Sequence, residues 1–138
     1  MTAINSILPW QQKNWDFLCT YIKQNRIPQA LLISGTSGLG KHSLATRFAY
    51  ALLCSQRQDD GTSCGLCNSC QLINANTHPD LSHIKPDEEK KSISINQIRQ
   101  VVTDTYLKPQ FEAYRVALIN PADAMTPSAA NAFLKCLE

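Results

Sequence analysis

The stretch ALLISGTSGLGKHSLATRFAYALLC, residues 30–54, constrains the fold of this chain more than any other. ALLIS, residues 30–34, is a short apolar run suited to a strand buried on both faces. The glycine-rich segment GTSGLGKHS, residues 35–43, follows at once. Residues 41–54 contain neither Gly nor Pro and read as a helix. Strand, glycine loop, helix is the setting that a phosphate-binding loop requires. Gly35, Gly38 and Gly40 would let backbone N–H groups converge on phosphate oxygens, and Lys41 has the reach to meet the outer phosphates. The pattern G-x-x-x-x-G-K-[ST] breaks at its last position, where His42 replaces the hydroxyl that binds magnesium. Imidazole is a poor substitute for an oxygen donor to that hard cation. Ser43 lies about 100° further round the helix and does not take the hydroxyl's place. The loop reads as a nucleotide loop by ancestry. A glycine-rich turn without a ligand is the plain alternative.

An ATP site also needs a second apolar strand ending in Asp, which orders the magnesium shell, and often Glu, which activates water. The matching run here is VALINPAD, residues 116–123. It ends in Asn120, which carries no charge, and Pro121, which offers neither a side-chain base nor an N–H. Asp123 lies beyond the strand end and reads as a loop carboxylate. Two independent losses, at His42 and at Asn120 with Pro121, fall on one function.

Six cysteines in 138 residues need an explanation. The N-terminal residues MTAINSILPWQQ show no basic leader followed by a long apolar run, and no stretch reaches the roughly 18 apolar residues of a membrane helix. A cytoplasmic location is therefore expected, where clustered cysteines point to metal rather than disulfides. Cys64, Cys67 and Cys70 are spaced C-x2-C-x2-C, and Cys54 lies ten residues before the first. Four thiolates make a closed tetrahedral zinc site, structural rather than catalytic. The surrounding DDGTSCGLCNSC is polar, so a metal would supply folding energy that the segment lacks. Iron–sulfur ligation also uses short spacings, but no further motif supports it. Cys19 and Cys136 sit on or beside apolar helix faces and read as core residues. His78 and His83 are spare metal ligands or bases that a four-cysteine site does not need.

The remaining elements follow from periodicity and caps. Trp15, Leu18, Cys19 and Ile22 predict an amphipathic helix over residues 11–25. A short helix is expected over 68–75, a turn over 77–80, a strand over 81–85 and a solvated loop over 86–91. Ser94 and Gln97 form a capping box for a helix whose inner face carries Ile95, Ile98 and Val102. Residues 116–120 predict a second strand. Thr126, followed by Pro127, caps a last helix with an apolar stripe of Ala130, Phe133, Leu134 and Leu137. Alternating strands and helices imply an α/β fold with a parallel sheet flanked by helices. Residues 131–138 stop inside that last helix without a stop signal, which suggests a piece of a longer chain. The net charge of +2 makes no case for nucleic-acid binding by charge alone. Residues 55–76 hold a single basic residue, Arg57, and no aromatics, which argues against a zinc module that grips DNA directly.

RIPQALLISGTSGLGK (residues 26–41), the four-cysteine insertion followed by THPD, and RVALINPADAMTPSAANAFLKCLE (residues 115–138) together resemble the bacterial clamp-loader AAA+ subunits over nearly the whole chain. That family has ATPase members, gamma and tau, which keep the loop hydroxyl and the Asp-Glu pair, and a non-hydrolysing member that has lost them. His42, Asn120 and Pro121 make this chain resemble the non-hydrolysing kind, though Lys41 and all the loop glycines are kept. The resemblance implies a P-loop NTPase (AAA+, RecA-like) domain. Residues 1–138 would be its N-terminal part, with a zinc-binding insertion at about 54–76, cut before the central sensor strand. Lid and collar domains are expected beyond residue 138. The strand expected next would lie between the glycine-loop strand and the VALIN strand, so its slot should be empty here. The implied role is a scaffold without ATPase activity of its own, within a replicative DNA polymerase holoenzyme. Its implied partners are the gamma/tau and delta subunits and, through the complex, the sliding clamp and primed DNA. The alternative is an active gamma/tau-type ATPase. It would need a hydroxyl at position 42 and carboxylates at 120 and 121.

Overall fold

The computed structural model describes residues 8–36, 38–105, 107–109 and 114–137. Residues 1–7, where no leader is expected, Ser37 in the glycine loop, and Glu138 lie outside them. The chain divides into two compact units, Met1–His78 and Pro79–Glu138.

The first unit is helical. A 3-10 turn at Pro9–Gln11 leads into α1 (Gln12–Lys23), and the glycine loop leads into α2 (Lys41–Leu53), which is followed by α3 (Asn68–Asn74). The predicted periodicity sets the core. Trp15, Leu18 and Cys19 turn inward from α1, and Leu44, Phe48, Ala49, Ala51, Leu52 and Leu53 from α2. Trp15 meets the edge of Phe48 with ring centroids 6.5 Å apart, a geometry favoured by the ring quadrupoles.

The strand expected over residues 30–34 is corrected. That run has no regular structure, and Leu32 is 80% exposed. Apolar composition alone does not hold a strand, because its N–H and C=O groups need a neighbouring ladder. Among the described residues only two strands pair, both in the second unit.

The second unit is a β-α-β unit with an added helix: β1 (Leu81–Ile84), α4 (Ile95–Thr105), β2 (Val116–Ile119) and α5 (Pro127–Leu137). The strands are parallel, with Leu81 opposite Val116 and Ile84 opposite Ile119. The expected broad sheet is therefore two strands here, and the fold class shown is mixed α/β. Ile93, Ile98 and Ala129 are fully buried at the core, with Ile84, Val102, Ile119, Met125, Ala132 and Phe133 packed round them. The capping box forms: the Ser94 N–H donates to Gln97 Oε1 at 2.9 Å, and the Gln97 N–H to Ser94 Oγ at 3.4 Å. Thr126 caps α5 by accepting the Ala129 N–H at 3.1 Å. The stripe predicted for α5 is displaced by a fraction of a turn. Ala129, Ala132 and Phe133 face the core, while Leu134 is 55% exposed. The last helix had too few large apolar residues to fix its rotation from sequence.

One residue of α2 is out of place energetically. Arg47 is 3% exposed, yet its Nε and both terminal nitrogens find no hydrogen-bond acceptor among the described residues. Burial lowers its pKa, and the nearby Asp60 charge works against that. A buried cation without acceptors costs more than an apolar side chain of similar length. Arg47→Met should raise the thermal midpoint of the chain, by the equivalent of about 1–3 kcal/mol. Circular dichroism melts would check it, and a lower midpoint would show that Arg47 has a partner in solution.

Candidate functional site

Both chemical motifs fall in the first unit. Cys54 follows the last turn of α2, and Cys70 lies in α3. Cys64 and Cys67 stand on the turn between them, Cys64-Gly65-Leu66-Cys67. Their four sulfurs all lie within 4.8 Å of one another, an arrangement that could hold a metal ion. Sγ–Sγ separations of 3.9 Å link Cys54 to Cys67 and Cys64 to Cys70. That is far beyond the roughly 2.05 Å of a disulfide. The backbone aims N–H groups at the sulfurs. Leu66 and Cys67 donate to Cys64 Sγ at 3.3 and 3.2 Å, and Gln56 and Cys64 donate to Cys54 Sγ at 3.4 and 3.3 Å. Such donors favour thiolate over thiol.

The metal-free thiols are correspondingly unequal. Partial burial pushes Cys67 up, but hydrogen bonds from Ser55 and Cys70 outweigh it and bring it down to about 6. The Leu66 and Cys67 N–H groups lower Cys64. Burial raises Cys54 and Cys70. The group of close sulfurs does not include His78 or His83. Cys19 is buried in the core, and Cys136 is half-buried on α5.

The glycine loop ends in α2 without a side-chain cap. Gly40 sits at φ +79, and a Cβ there would lie 2.7 Å from Gln11 Nε2. Gly38 and His42 are exposed. Lys41 Nζ donates to the Gly35 carbonyl at 2.6 Å, so the loop's own cation closes the loop. Residues that sequence reasoning missed hold it from behind. Trp10 Nε1 donates to the Leu39 carbonyl at 3.0 Å, and Gln11 Nε2 donates to the Leu39 and Gly40 carbonyls at 3.0 and 2.8 Å. A signal was present: Gln11 precedes Trp15 by four residues and so shares the apolar face of α1. A polar residue on a buried stripe implies a buried polar partner. In the second unit, Asn120 follows β2 directly and Asp123 is exposed in a 3-10 turn, Ala122–Ala124.

The chain matches the family described as "DNA polymerase III, delta subunit" over residues 10–138, and it belongs to that family. It is 41% identical over 132 residues to the DNA polymerase III subunit delta' of Pseudomonas aeruginosa, covering 96% of this chain and 39% of that protein. The Escherichia coli subunit delta' is 33% identical over 130 residues, 94% of this chain and 39% of that protein. The Haemophilus influenzae subunit tau/gamma is also similar, at 33% over 121 residues, 88% of this chain but 17% of that protein. This chain thus spans about two fifths of the length of the delta' relatives. No helix among the described residues is long and apolar enough to cross a membrane.

The unequal thiols give a pH-dependent prediction. In metal-free protein, Cys67 should be alkylated with a midpoint near pH 6, and Cys70 only in alkali. Because the Cys67 value is depressed on folding, its contribution to stability is present above its ordinary value of 9.0. That contribution fades as pH falls towards about 6. Mass spectrometry of iodoacetamide-treated protein across pH would read the order. Equal rates at all four cysteines would contradict it.

Proposed function

We propose that the full-length protein is a delta-prime-type subunit of the DNA polymerase III clamp loader, a non-hydrolysing AAA+ scaffold that helps load the sliding clamp onto primed DNA. Its partners would be the gamma/tau and delta subunits. The observation that carries this reading is the pair of losses in a family otherwise built round a nucleotide loop. His42 replaces the magnesium-binding hydroxyl, and Asn120-Pro121 replaces the acidic pair. The likeness to subunits named delta' supports the same assignment. Gly35, Gly38, Gly40, Lys41 and His42 then form a degenerate phosphate loop. The chemistry of its residues supports weak, magnesium-indifferent nucleotide binding at most, with no hydrolysis and no catalytic residue in this segment. The domain is read as a P-loop fold of the AAA+ kind, with lid and collar supplied by later parts of the protein, in the cytoplasm.

Cys54, Cys64, Cys67 and Cys70 are assigned to structural zinc. Four sulfurs at about 2.3 Å from one ion sit about 3.8 Å apart at tetrahedral corners, close to the 3.9 Å separations here. All four positions are filled by protein, so the ion would supply folding energy rather than chemistry.

Titration of labelled ATP onto the full-length protein, with and without magnesium, tests the nucleotide reading. Binding that is weak or absent, unchanged by magnesium and without turnover, is expected. Tight magnesium-dependent binding with hydrolysis would replace this reading with the gamma/tau-type ATPase.

A further inference from the structure

The cysteine insertion and the glycine loop are separate in sequence and chemistry, yet both are fastened to α1. Between Cys54 and Cys64 the chain makes a closed turn: the Gly61 N–H donates to the Gln58 carbonyl and the Gln58 N–H to the Thr62 carbonyl, both at 2.9 Å. Asp60 Oδ1 accepts the Thr62 N–H and hydroxyl at 3.0 and 2.6 Å. That turn is pressed against α1. Trp15 Nε1 donates to the Asp60 carbonyl at 2.9 Å, and Trp15 is fully buried. A Cβ on Gly61, at φ +89, would fall 2.6 Å from Cys19 Sγ, so only glycine allows this approach. In the 3-10 turn that leads directly into the same helix, Trp10 and Gln11 hold the Leu39 and Gly40 carbonyls.

We infer that metal binding at the cysteines is transmitted through α1 to the glycine loop. This inference rests on the metal assignment made above. Metal fixes both ends of the 54–64 segment, which sets the Asp60–Gly61 turn. The turn seats Trp15, and a seated α1 presents Trp10 and Gln11 to the loop. The last link is sensitive because Gln11 is 3% exposed and its Oε1 has no hydrogen-bond partner among the described residues. Its two donated bonds offset the cost of burying that amide, so a small shift of α1 that breaks them leaves the amide buried and unsatisfied. The Gly40 carbonyl also accepts the Leu44 N–H at 3.0 Å, the first bond of α2, so loss of the Gln11 contact loosens the helix start.

Hydrogen exchange on the full-length protein, with metal content measured on the same sample, tests this. Chelation should raise exchange at Asp60–Thr62 and, about tenfold, at Leu44, the loss of roughly one hydrogen bond. The Asn120 amide, bonded to the Ile84 carbonyl at 3.0 Å in the other unit, should stay protected. Gln11→Leu in metal-loaded protein should reproduce the Leu44 change without touching Asp60–Thr62. A sample that never holds metal would overturn the metal assignment and this inference together. A loaded sample in which chelation loosens residues 54–70 but leaves Leu44 unchanged would overturn the inference alone. If chelation unfolds the whole protein, Gln11→Leu decides: unchanged Leu44 exchange overturns the inference, and a tenfold rise upholds it.

Discussion

The hydrogen bond from the Trp15 indole to the Asp60 carbonyl, with the glycine packed beside it, is the contact on which the first unit depends. The insertion between α2 and α3 has almost nothing apolar to bury. Its exposed residues include Leu66 at 80%, and its sequence is mostly small and polar. Such a segment cannot offset its own ordering entropy by burial. It is held at two points instead, by four converging sulfurs and by the buried face of α1. The helix that accepts it also braces the glycine loop, so one amphipathic element serves two otherwise unrelated pieces of chemistry.

On the reading proposed above, the glycine loop keeps its glycines and Lys41 but not the magnesium-binding hydroxyl. Gly40 remains because Gln11 lies where a Cβ would go, a reason that needs no nucleotide. Lys41 is turned onto Gly35, which satisfies a loop carbonyl. A loop whose Gly40 is kept by packing thus persists, on that reading, without a magnesium hydroxyl or acidic partners. That is consistent with the scaffold role proposed above and with the likeness to subunits named delta'.

Much of this was legible in the sequence. The helices of the first unit follow the spacing of Trp15, Leu18 and Cys19 and the uninterrupted run after Gly40. The caps at Ser94 and Thr126 formed as their side chains dictate. The cysteine spacing pointed to the cluster directly. Two things were not legible. Residues 30–34 read as a strand because a short apolar run ending at a glycine suits a buried strand, but pairing is a property of neighbours rather than of the run. The brace from Trp10 and Gln11 and the Trp15–Asp60 contact are also non-local, spanning 28 to 45 positions. Only the misplaced polarity of Gln11 on an apolar face hinted at them.

Metal analysis of the purified full-length protein tests the proposed closed four-thiolate site most directly. Elemental analysis should find one zinc per chain. Cobalt put in its place should show the absorption of a tetrahedral tetrathiolate, and both should be lost in Cys64→Ser. A protein without stoichiometric metal, its four cysteines freely titratable when native, would contradict it.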